Sequence, residues 1–261
     1  MQFNITSEKI LVFWLVFARL SGLMMSVPIL SSSSVPIQIK LAASLFFSLI
    51  IFPLINYNTQ ALSLSTHWIL YTLTIGKEII IGLSLGYIIN FLFVGIQLAG
   101  QIIDFQMGFG MARVIDPQSR VQTSLTSQFS NILAIMIFLG INAHYALLKA
   151  MVESFNLIPL YVSSLHPQLF HSIVTLAGNI FAISLKAGAP IIIVLLLVQI
   201  SIGIMNRIIP QMNIFMVSLP LKIGIGLLMI SLVMPYFLHF LVELFGNSYQ
   251  NLLFILKIAG G

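Results

Sequence analysis

His239 and Glu243 stand four residues apart, one helical turn, which would place an imidazole and a carboxylate on one face in the spacing of a metal-ligand pair. No third donor lies within reach along the sequence. The chain has no cysteine, so thiolate ligands, thiolate catalysis and disulfides are excluded. Asp104 and Asp116 share another stretch, but Asp116-Pro117 has the form of a turn start rather than half of a carboxylate pair. His144, following Asn142, reads as a cap or hydrogen-bonding group at a helix end. No Ser/His/Asp set and no phosphate-cradling glycine loop stands out. The expectation is no catalytic residue, no metal and no cofactor: the chain is not an enzyme.

Lys77 and Glu78 are a charged pair inside an apolar run. Sequence neighbours on a helix point about 100° apart and do not pair with each other, so each needs water, a headgroup or a partner elsewhere. Charges at membrane depth are candidates for function. Two roles fit this pair, a structural ion pair to a neighbouring chain or a proton relay.

The elements that position these residues are dictated by composition. Of 261 residues, 59% are apolar and only 7% charged, against about 25% charged in soluble domains. The mean hydropathy is +1.09. No soluble core could hide so much apolar surface, so lipid or partner subunits must cover it. The net charge of +5 comes from scattered Lys and Arg without a basic run, which gives no support to nucleic-acid binding or a polybasic lipid patch.

Apolar windows near 10–30, 39–56, 68–90, 128–148, 174–203 and 223–245 predict an all-α, polytopic membrane protein of about six helical segments in a single domain. Arg19 interrupts the first window and Glu8-Lys9 is not a strongly positive n-region, so this window is expected to be an uncleaved span. The third continues to Ile103, too long for one bilayer crossing, and is expected to bend, split or project beyond the lipid. The window 174–203 contains Lys186 and Pro190 and is expected to kink there. The segment 249–258 is too short to cross. With six spans, Lys9, Lys149 and Lys257 fall on one side and Lys40, Arg113, Arg120, Arg207 and Lys222 on the other. Setting aside Arg113 and Arg120, which belong to an irregular central loop, leaves three against three, and the positive-inside rule assigns no orientation. No strong internal repeat is visible.

Two passages break the helical pattern. The first, about 104–122, holds Met107, Gly108, Phe109, Gly110 and Met111, then Arg113, Asp116 and Arg120. Four of the chain's few charges fall here, and the Asp-Pro turn cannot continue a helix. The second, about 205–222, brackets an apolar run between Pro210 and Pro220, with Phe215 inside and Arg207 and Lys222 flanking; it reads as a re-entrant or partner-buried turn. Gly82 and Gly86 make a small-xxx-small face for close helix approach.

Several of these passages carry a family resemblance. Ala18-Arg19 with Val27-Pro28, Gly76-Lys77-Glu78 with Gly82 and Gly86, and the run from Phe105 to Gly110 resemble, in order and spacing, the FliR/SctT-type export-gate family. So do Asp116-Pro117-Gln118-Ser119, Asn142 with His144, the run from Pro210 to Phe215, and Pro220-Leu221-Lys222. Arg120 departs from the pattern, standing where the family has a small residue. The resemblance implies one chain per gate in a flagellar or related type III secretion basal body, in the bacterial inner membrane. It implies several copies of FliP-type and FliQ-type subunits as partners, with FlhB-type and FlhA-type export proteins as neighbours, and unfolded flagellar protein as cargo. Residues 106–116 would then plug the pore: Met107, Phe109 and Met111 exclude water and ions, while Arg113 and Asp116 hold the loop closed. A rival expectation is a secondary transporter with a midplane site near Lys77, Glu78 and Lys186. Between flagellar and virulence-type systems, the Asp116–Ser119 and Pro210–Phe215 passages lean flagellar.

Overall fold

The computed structural model describes residues 7–31, 35–55, 68–109, 124–160, 168–211 and 214–260. All regular structure among the described residues is helical. The helices are α1 Ser7–Ser26, α2 Pro28–Ser31, α3 Ile37–Ile51, α4 Trp68–Met107, α5 Leu125–Gly140, α6 Ala143–Leu157, α7 Gln168–Ile208, α8 Ile214–Gly246 and α9 Ser248–Gly260. Five of the apolar stretches are long enough to cross a membrane, or six if the broken α5–α6 pair counts as one span. The expected number of segments is met.

The boundaries follow local chemistry. Pro28 ends α1, because the residue before a proline is pushed out of helical geometry, and then starts α2. Pro53 sits in the short 3-10 turn Phe52–Leu54 that closes α3. Asn142 takes a left-handed conformation at φ 58°, which asparagine tolerates better than most residues, so the expected span 128–148 is two helices. The Asn142 side chain makes no cap, and the buried His144 Nδ1 has no hydrogen-bond partner among the described residues. Hydroxyls inside apolar helices are satisfied by carbonyls one turn back: Ser44 donates to Lys40 O at 2.8 Å and Ser84 to Ile80 O at 2.7 Å.

Three expectations about length resolve differently. α4 is one unbroken helix of 40 residues, roughly 60 Å at about 1.5 Å per residue and twice a hydrocarbon core of about 30 Å. Of the expected bend, split or projection, the split does not occur. α7 runs 41 residues with its helical assignment continuous through Pro190. α7 and α8 extend into the second passage, where 209–211 are the described residues outside helix, and Pro220 lies within α8.

The chain forms two compact units from interleaved segments, 1–91 with 142–177 and 246–261, and 92–141 with 178–245. In the first, α1 packs on α3 and α9 on α6. α1 also lies against the first part of α4. A Cβ on Gly82 would strike the Arg19 carbonyl oxygen, and one on Gly86 would strike the Ser26 hydroxyl. The close approach made possible by these glycines is therefore within the chain. The second unit is built around Phe93, Phe138 and Phe245, whose ring centroids lie 5.0 to 5.6 Å apart. α4 is largely buried, whereas only about a fifth of the residues of α3, α7 and the α8–α9 stretch are buried within this chain. Ile193, Leu197, Ile200 and Ile204 on α7 are all exposed, the composition of a face that lipid or another subunit covers.

Candidate functional site

The central passage begins inside α4, not after it. Met107, the last residue of the helix, is fully buried in an apolar collar with Ile103, Ile191, Ile192 and Leu195, and Phe109 packs against the same group. Gly226 makes room for it: a Cβ there would come within 2.7 Å of Met107 Cγ. Gly108 then turns the chain out of the helix at φ 94°, a conformation that side chains with a Cβ rarely adopt, with its N–H bonded to Phe105 O at 3.2 Å.

Asp104 fixes the other end of the same passage. Its buried carboxylate accepts from the Ser124 and Thr126 hydroxyls and from the Thr126 backbone N–H at 3.1 Å. Ser124 in turn caps α5, its oxygen accepting the Ser127 N–H at 3.1 Å. Gly100, one turn earlier on α4, lies directly against the Ser127 backbone. The segment from Gly108 to Thr123 therefore leaves and returns at points tied to one carboxylate. A charged acceptor with three donors is a strong anchor in a low-dielectric surrounding.

Of the residues expected to plug a pore, Met107, Gly108 and Phe109 are together at this stem. Gly110, Met111, Arg113 and Asp116 lie outside the described residues. Of those expected to serve assembly, Gly82 and Gly86 contact α1. Pro210 is in the turn after α7, Phe215 falls in the first turn of α8, and Pro220 is exposed on α8.

Glu78 has its partner within the chain. Arg19 Nε donates to Glu78 Oε2 at 2.5 Å, and both side chains are almost fully buried. The guanidinium also donates to Ser154 O at 2.9 Å, Ser154 Oγ at 3.2 Å and Ile158 O at 3.0 Å, and lies 4.3 Å over the Phe155 ring. Arg19 thus joins α1 to α4 and to the C-terminal end of α6, where unpaired carbonyls concentrate negative potential. The ion pair of Glu78 is thus made within the chain, where a pair to a neighbouring chain was one of the two roles considered. It also takes from the transporter reading the carboxylate that reading required.

Arg19 was visible in the sequence as a lone cation in an apolar window, and a buried arginine requires a carboxylate; that signal could have found the pair. Asp104 was visible too, with Ser124 and Thr126 as hydroxyl partners, but their separation by an irregular passage hid the connection. His239 and Glu243 are exposed on α8, and no cluster of three metal-binding side chains occurs among the described residues.

Comparison with known proteins accords with these features. The family described as bacterial export proteins, family 1, matches residues 10–248. The flagellar biosynthetic protein FliR of Bacillus subtilis (strain 168) is 32% identical over 253 residues, 95% of each chain. That of Escherichia coli (strain K12) is 30% identical over 255 residues, again 95% of each, and that of Aquifex aeolicus (strain VF5) is 28% identical over 236 residues, 89% of each. The chain belongs to the bacterial export proteins of family 1.

Proposed function

We propose that this chain is a membrane-embedded subunit of a flagellar type III protein-export gate, and that the passage following Met107 closes the gate. Its full-length similarity to flagellar biosynthetic proteins supports the first part. The observation that carries the second is the stem of the passage: Met107 is seated in an apolar collar while Asp104 ties the start of α5 at Ser124 and Thr126. A loop held at both ends, with glycine at its exit and methionine and phenylalanine at its start, can fill a narrow lumen and still be displaced as one piece.

The exposed apolar faces of α3, α7 and α8, such as that of Ile193, Leu197, Ile200 and Ile204, are the surfaces on which FliP-type and FliQ-type subunits would assemble, with FlhB-type and FlhA-type proteins nearby. The gate would lie in the bacterial inner membrane at the base of the flagellum, and the cargo is unfolded flagellar protein. Native mass spectrometry of the tagged chain, extracted gently from its own membrane, tests this. One copy bound to several copies of two other small membrane proteins is the expected result, and a lone, fully folded chain would overturn it.

A further inference from the structure

We propose that a groove on the second unit holds the backbone of the cargo polypeptide in extended form, through the side-chain amides of Gln101, Gln106 and Gln199 and the ammonium of Lys222. The inference rests on the export reading above and adds to it the chemistry by which a cargo of any sequence is recognised. The groove has a volume of about 560 Å³, and α4, α7 and α8 each contribute to it, with Phe105 forming part of its wall. Among the described residues, none of the four polar ends takes part in a hydrogen bond or salt bridge. An amide that serves the fold looks different: Gln97, one turn before Gln101, donates to Asn131 Oδ1 at 2.9 Å.

Three uncommitted amides and a cation meeting in one groove are out of place in a chain that is only 7% charged and 59% apolar. Against lipid, each would stand unpaired at a cost of a few kcal/mol. A permanent neighbouring subunit is also a poor occupant, because obligate interfaces resemble a sectioned hydrophobic core and are depleted in charge. An unfolded chain in transit has the opposite need. Its peptide groups have no secondary-structure partners, and each presents one N–H and one C=O. A glutamine amide offers the complementary donors and acceptor, and it does so whatever side chain the cargo carries. Lys222 adds a preference for acidic stretches, and Phe105, 77% exposed, offers an apolar face to passing side chains.

Position supports the same occupant. Phe105 and Gln106 form the groove wall and are immediately followed by Met107, the seated residue of the collar. A chain lying in the groove touches the last turn of α4, the turn from which the closing passage departs.

The test is photo-crosslinking in the assembled gate, in cells carrying an export substrate fused to a domain that cannot unfold and so stalls in transit. A benzophenone amino acid is placed at position 199, and in a second strain at position 109. A cargo adduct from position 199 that requires the stalled substrate is the expected result. An adduct from 199 to another gate subunit, formed with or without cargo, would overturn the inference. So would labelling of cargo from 109 with none from 199, which leaves the gate-closing reading intact. Labelling from neither position, while cargo is demonstrably stalled in the gate, would overturn both. As a second measure, Gln101→Leu with Gln199→Leu should slow secretion several-fold at unchanged gate abundance, and undiminished secretion would contradict the proposed role.

Discussion

Arg19 and Glu78 offer the sharpest test of how the first unit is held together. Glu78→Ala leaves a guanidinium, buried to the last atom, with only neutral partners at Ser154 and Ile158. Breaking a buried pair from one side costs about 3–5 kcal/mol, because the remaining charge is uncompensated. At about 1.4 kcal/mol per tenfold, that is roughly two to four powers of ten in the folded-to-unfolded ratio. Arg19→Met leaves Glu78 buried and two carbonyls without their donor, so its loss should be similar, although Glu78 can escape its charge by taking up a proton. The double variant Arg19→Met with Glu78→Leu removes both charges and fills the space with apolar atoms, and should recover more than half of the loss. The assay is thermal unfolding of the four proteins in one detergent, with protease resistance in native membranes as a check. Two results would refute the reasoning: Glu78→Ala as stable as the parent, or a double variant whose loss equals the sum of the single ones.

Two further predictions follow from close contacts and from the loop anchor. Gly82→Leu should prevent folding of the chain itself, since its side chain would enter the Arg19 backbone, whereas Gly76→Leu, on the same helix with open space around it, should be tolerated; equal recovery of both from membranes would remove the α1–α4 contact from the account. Asp104→Ala should leave the gate assembled but poorly sealed, because the carboxylate's hydrogen bonds, each worth about 1.5–3 kcal/mol, hold the returning end of the loop. Asp104→Asn, which keeps an acceptor, should fall between the two, and a tight seal in both variants, read as proton leak in membrane vesicles, would show that the anchor does not matter.

The all-α architecture and the number of apolar segments were legible because a 20-residue apolar window has few other uses. Helix ends were less so. Asn142 breaks the span 128–148 by adopting a left-handed backbone, and asparagine in an apolar run gives only a weak hint of that. Pro220 suggested a break, yet it lies inside α8, and Pro190, where a kink was expected, lies inside the continuous α7. Gly82 and Gly86 announced close packing correctly, but their spacing alone does not say which helix approaches; α1 is sixty residues away in the sequence. The same distance hid the partner of Glu78. At the stem of the central passage, Met107 and Gly108 were legible as residue types, whereas Asp104 reads as a loop residue until Ser124 and Thr126 are seen beside it.

The central claim is that the passage following Met107 closes a pore. The most direct measurement is the membrane potential and ion leak of cells, or of vesicles prepared from them, carrying the chain with residues 108–113 deleted, with gate assembly confirmed in the same preparation. A normally assembled gate that leaks small ions is the predicted result. A normally assembled gate with unchanged ion permeability would contradict it.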